Sequence, residues 1–96
     1  MIIDFDLETF RKNLLNIRHI LGITAKELGE RIGVTRQTIN NIESGRCQLS
    51  FTQFLAIKYV FEHELEVTDE QEKIIRHIID NENVTEIIVN GRFIKV

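Results

Sequence analysis

The chain contains no proline and a single cysteine, and its longest apolar runs are only a few residues. Without proline, no helical pattern is interrupted by the residue that lacks an amide and clashes with the preceding turn. A lone Cys47 excludes an internal disulfide and a CxxC metal site, and it fits a reducing cytosol, so a cytoplasmic location is expected. No stretch approaches the ~20 apolar residues that span a bilayer, so no membrane role is expected. The opening MIIDFD has no basic n-region and does not read as a signal peptide. His19, His63 and His77 are widely spaced and share no ligand pattern with Cys47, so no metal is expected. No Ser/His/Asp arrangement, glycine-rich phosphate loop or paired-carboxylate site stands out, so neither enzymatic activity nor a cofactor is expected.

What is present is ordinary globular material. Ninety-six residues, 43% hydrophobic and 28% charged, suit one small domain with a short appendage. The net charge of -3 conceals a segregation. Residues 1–10 carry three acids and no base; residues 11–58 carry eight Lys/Arg against three Glu; residues 59–96 carry four bases and nine acids. A basic middle between acidic ends is a pattern for an anion-binding face.

Helix starts are well marked. Leu7, Phe10, Leu14, Ile17 and Leu21 form one apolar stripe, with Asp6 placed to cap the helix and Gly22 to end it. Thr24-Ala25-Lys26-Glu27 reads as a capping box opening a short helix that Gly33 closes. Thr35 caps a third helix over 36–43, with Ile39 and Ile42 inward and Gly45 after it. Ser50-Phe51-Thr52-Gln53 opens a fourth helix running to about Phe61 or Glu62, with Phe51, Phe54, Leu55, Ile57 and Tyr59 supplying bulk. Thr68-Asp69-Glu70-Gln71 opens a fifth, to about Asp80, with Ile74, Ile75, Ile78 and Ile79 as its stripe.

The tail then changes period. Thr85 to Val89, then Asn90-Gly91, then Arg92 to Val96 is a β-hairpin signal, because Asn-Gly suits the two positive-φ positions of a type I′ turn. An isolated two-stranded hairpin is marginal in water, so its partly apolar faces need covering by the helices or by another subunit. Met1-Ile2-Ile3-Asp4-Phe5 is also β-prone and can add a strand, within the chain or across a dimer. The expected division is a core domain over 6–62 and an accessory helix plus hairpin over 63–96.

The informative stretch is 24–46. Two short helices joined by Gly33-Val34-Thr35 form a helix-turn-helix, with Val34 under the turn and Leu28, Ile32, Ile39 and Ile42 setting the angle. Such an angle lets the second helix protrude into a major groove. Gln offers a donor and an acceptor that match adenine, and Arg offers two donors that match guanine. Arg11, Lys12, Lys26, Arg31 and Arg46 are candidates for nonspecific attraction to phosphate.

The run from Leu21-Gly22-Ile23-Thr24-Ala25-Lys26-Glu27-Leu28-Gly29, through Ile32-Gly33-Val34-Thr35-Arg36-Gln37-Thr38-Ile39-Asn40-Asn41-Ile42-Glu43-Ser44-Gly45-Arg46, resembles the DNA-binding domain of phage repressor and Cro proteins, the XRE family. The resemblance covers about 10–61. It implies a mainly α, five-helix lambda-repressor-like fold, here followed by the C-terminal β-hairpin. It implies base contacts from Arg36, Gln37, Thr38 and Asn41. It implies phosphate contacts from Thr35, Ser44 and Arg46, and a partly buried structural ion pair between Arg18 and Glu43. Many family members have Gln at the start of the second helix, where this chain has Ala25, so Thr24 or Lys26 would supply that phosphate clamp.

The resulting expectation is a sequence-specific DNA-binding transcriptional regulator, a homodimeric repressor of double-stranded DNA with helix 36–43 in the major groove. One alternative is an antitoxin-like autorepressor that also binds a protein partner through its acidic C-terminal segment. The other is a protein-interaction module that no longer binds DNA.

Overall fold

Five α-helices follow one another through the described residues: α1 (Leu7–Leu21), α2 (Ala25–Ile32), α3 (Arg36–Ser44), α4 (Phe51–Tyr59) and α5 (Asp69–Asp80). The computed structural model describes residues 7–80 and the strand backbones of 86–89 and 92–95. None of the described helices is long and apolar enough to cross a membrane.

The helix starts are built as their sequences dictate. Thr24, Thr35 and Ser50 sit in extended backbone, and each accepts a hydrogen bond from the amide three residues on. That satisfies one of the first amides, which have no acceptor within the helix. At Ser50 and Thr68 the box is complete, because Gln53 and Gln71 each accept from the capping residue's amide in return. At Thr24 only half of the expected box forms. Its hydroxyl accepts from the Glu27 amide at 3.0 Å, but the Glu27 carboxylate, exposed to water, makes no return bond among the described residues. The expected Asp6 cap of α1 lies outside the described residues.

One core serves all five helices. Phe10, Leu14 and Ile17 of α1 are fully buried, together with Leu28, Ile39, Ile42, Ile57 and Phe61. The Phe10 ring meets Phe54 edge-on, with centroids 5.0 Å apart. The Phe61 ring is tilted against Phe10, with centroids 6.1 Å apart. Burying each such side chain is worth about 1.5–3 kcal/mol. Ile75 and Ile78 of α5 join the same core, and Gln71 Nε2 donates to the Ile20 carbonyl at 3.1 Å, fastening α5 to the end of α1.

The fourth helix departs from expectation in two ways. It ends at Tyr59 and continues as a π-helical turn, Val60–Glu64. The wider turn lets two successive residues, Val60 and Phe61, both reach the core. Moreover, only Phe54 and Ile57 of its five large residues are buried; Phe51, Leu55 and Tyr59 are exposed. The reason is periodicity: 54, 57 and 61 share one stripe, whereas 51, 55 and 59 recur every fourth residue along a different one.

Toward the C-terminus, the backbones of Glu86–Val89 (β1) and Arg92–Lys95 (β2) pair antiparallel, with Glu86 opposite Lys95 and Val89 opposite Arg92. The expected Asn90-Gly91 turn, the side chains of these strands and the segment 1–6 lie outside the described residues.

Candidate nucleic-acid interface

The turn between α2 and α3 is dictated by two glycines. Gly33 takes φ 79°, a left-handed conformation that side chains rarely adopt, and so reverses the chain. Gly29 is needed for a different reason: a Cβ there would stand 2.7 Å from the Val34 carbonyl oxygen. Val34 and Ile32 are half-buried against the core, while Leu28, Ile39 and Ile42 are sealed between the helices. With that anchoring, α3 leaves Arg36, Gln37 and Asn40 exposed and Thr38 and Asn41 half-exposed. No other part of the described chain covers this edge.

The four residues expected to meet bases are therefore brought onto one accessible edge, but they are not independent. Gln37 Nε2 donates to Asn41 Oδ1 at 3.0 Å, an i,i+4 bridge along the exposed face. Gln37 keeps its carbonyl oxygen and one N–H for other partners, and Asn41 keeps its own N–H groups. Thr38 Oγ1 lies 3.0 Å from Thr35 Oγ1, and Thr35 Oγ1 also accepts from the Thr38 amide. The Gln37–Asn41 spacing is visible in the sequence, but which rotamers meet is a property of the folded helix.

Arg18 and Glu43 form an ion pair between α1 and α3. Arg18 Nε donates to one Glu43 oxygen at 3.0 Å and an Nη donates to the other at 3.4 Å. The second Nη donates to the Ile23 carbonyl at 3.1 Å. The two side chains are only 8% and 6% exposed. This one guanidinium joins α1, the α1–α2 turn and the C-terminal end of α3.

The expected phosphate contacts fall at the two ends of α3. At its start, Lys26, Glu30, Val34, Thr35 and Arg36 line a shallow groove of about 420 Å³. Two cations, Lys26 and Arg36, and one acid, Glu30, line it beside the N-terminus of α3, whose dipole favours an anion. Ala25 is buried in the core rather than facing outward. Thr24 and Lys26 beside it are exposed. At the far end, Asn41 O accepts from the Cys47 amide at 3.1 Å and from Ser44 Oγ at 3.2 Å. The Ser44 hydroxyl proton thus points at its own helix, and the Gly45 amide returns to Ile42 O. Arg46 is exposed, and neither its amide nor its guanidinium is bonded among the described residues.

The other cations divide. Arg11 is already engaged: Nε and one Nη bind Glu8, and the other Nη donates to Ile42 O at 3.3 Å. The Glu8 hydrogen bond raises the Arg11 pKa above its ordinary range, against the lowering effect of burial. Its positive charge also sits at the C-terminal end of α3, where the helix dipole favours it. Sequence reading missed this structural role, although the i,i+3 spacing of Glu8 and Arg11 hinted at their pairing. Arg31 pairs with Glu64 of the π-turn at 3.6 Å. Lys12, Lys26, Arg36 and Arg46 have no such partner among the described residues.

Residues 14–58 match the helix-turn-helix family model. A curated protein from Methanothermobacter thermautotrophicus, named as an uncharacterized HTH-type transcriptional regulator, is 62% identical over 29 residues. The match covers 30% of this chain and 42% of that relative, so the chain spans less than half of the relative's length. No solved structure matches the chain.

Proposed function

We propose that this chain, whose residues 14–58 match the helix-turn-helix family model, is a DNA-binding transcriptional regulator that reads duplex sequence with α3. The observation that carries this reading is the division of labour on α3. Ile39, Ile42 and Glu43 hold the helix to the body, while Arg36, Gln37, Thr38 and Asn41 are left on an accessible polar edge. Arg36 suits guanine O6 and N7, and Gln37, aligned by Asn41, suits adenine N6 and N7. Thr24, Lys26 and Thr35 flank the start of α3, and Ser44 and Arg46 its end. These residues seat two stretches of phosphate backbone and so set the register of the helix in the groove.

The net charge of -3 does not oppose this reading, because the excess of bases lies within residues 11–58. Charges separated by more than ~10 Å are largely screened at ~0.1 M salt, so the local field governs contact with DNA. One recognition helix reads only a few base pairs, and useful specificity comes from two half-sites about 34 Å apart. The protein therefore acts as a homodimer and, by occupying its operator, as a repressor. The strand pair β1–β2 is one candidate contact between protomers, since a two-stranded ladder alone is marginal in water.

Selection of bound sequences from random DNA, followed by titration of the selected duplex, tests the reading. Wild type should prefer the selected duplex over random duplex by ~10³-fold or more. The Arg36→Ala/Gln37→Ala variant should bind both alike, with salt-sensitive affinity retained. Discrimination that survives this variant would show that α3 is not the reading element.

A further inference from the structure

Four large apolar residues are exposed among the described residues, and three of them, Phe51, Leu55 and Tyr59, fall on one stripe of α4. Their exposures are 65%, 47% and 59%. The outer rings are not loose. Phe51 leans on Phe54, with centroids 6.1 Å apart, and Tyr59 packs at a tilt on His63, with centroids 4.8 Å apart. Side chains already held in place lose less freedom when a partner arrives.

We infer that this stripe is the contact between two copies of the chain, with α4 packed antiparallel on α4 of the second copy about a two-fold axis at Leu55. The spacing is symmetric about Leu55: an aromatic ring stands four residues to either side. In an isologous contact each residue at one offset meets the residue at the opposite offset. Phe51 then meets Tyr59 of the second copy, Tyr59 meets Phe51, and Leu55 meets itself. The charges agree. Three residues from the axis stand Thr52 and Lys58, so each Lys58, 3.9 Å from its own Glu62, faces a neutral threonine. No like charges are opposed along the stripe, and the half-buried Ala56 beside Leu55 allows close approach.

The area sets the strength. A buried aromatic contributes ~150–250 Å², so the exposed parts of two such rings and one leucine offer roughly 300 Å² per copy. A standard stable interface buries ~800 Å² per partner. The α4 contact is therefore weak in free solution and completes itself on DNA, where two adjacent half-sites raise the effective concentration of the second copy. The role on DNA rests on the two-half-site reading above; the contact itself does not, and it is tested without DNA.

Sedimentation equilibrium of the full chain, up to about 1 mM, reads the association directly. Wild type should show a concentration-dependent monomer–dimer equilibrium. Leu55→Lys should weaken it by ~10-fold or more, because two ammonium groups then face each other across the axis. Leu55→Glu should do the same. An equimolar mixture of the two variants should dimerise more tightly than either alone. Both substitutions place good helix formers at a half-exposed helical position, and circular dichroism confirms that the fold is kept. Arg36→Ala/Gln37→Ala should dimerise as wild type does, which separates this test from that of base reading. A strictly monomeric wild type, Leu55→Lys associating as wild type does, or a mixture no tighter than its components would each overturn the inference. The second of these outcomes would move the contact to the C-terminal strands or another surface.

Discussion

Replacing Glu43 with alanine should be among the most damaging single changes outside the apolar core. The carboxylate receives two guanidinium hydrogen bonds from Arg18, at 3.0 and 3.4 Å, in a site where both side chains are less than a tenth exposed. Without it, the Arg18 charge stays buried with only the Ile23 carbonyl as a described acceptor. Breaking a buried pair in this way costs about 3–5 kcal/mol, most of it from the charge left uncompensated. A chain of this size has only ~5–15 kcal/mol of total stability. With each kcal/mol worth ~4–8 °C in a small domain, the midpoint should fall by at least ~12 °C. Urea titration followed by circular dichroism at 222 nm gives the free energy, and a thermal scan gives the midpoint. The companion variant Arg18→Met/Glu43→Leu, which removes both charges and fills the space with apolar atoms, should recover most of the loss. A loss below about 1 kcal/mol for Glu43→Ala, or a double variant no more stable than the single one, would refute the argument.

Three further outcomes follow from the same geometry. Gly29→Val should destabilise the fold by ~2 kcal/mol or more, measured by urea titration, because its Cβ would meet the Val34 carbonyl and push α3 away; a neutral result would deny the close approach. Thr35→Ala should lose about 1 kcal/mol of stability with the α3 cap, and Thr35→Ser should lose less, since the serine hydroxyl can still accept from the Thr38 amide. Lys26→Ala and Arg46→Ala should each lower the slope of log affinity against log salt by about 1 on any duplex, whereas Arg31→Ala, whose charge already meets Glu64, should change it less; fluorescence anisotropy over a salt series distinguishes them.

Much of the fold is legible in the chain because its signals are local. A cap lies in the three residues after it, so Thr35, Ser50 and Thr68 announce their helices in sequence. The left-handed turn at Gly33 belongs to one residue, and α1's stripe repeats within a single helix. The helix-turn-helix follows from the order of these local signals, and the family resemblance carried by the same run is what nominates Arg36, Gln37, Thr38 and Asn41 as a group. Their charges and donors are fixed by residue type alone.

What needed the folded chain was every choice between equivalent local options. Phe51, Leu55 and Tyr59 are as apolar as Phe54 and Ile57, and only the packing of α4 decided which stripe faced inward. Arg11 and Arg46 are the same residue, yet one is drawn to Glu8 and the end of α3 while the other is left to solvent. Ala25, where the family that the chain resembles often has glutamine, is read from sequence as a missing contact; in the structure it is a core residue. Hydrophobicity and charge state what a side chain can do, and the distances between elements remote in sequence decide which of those capacities is used.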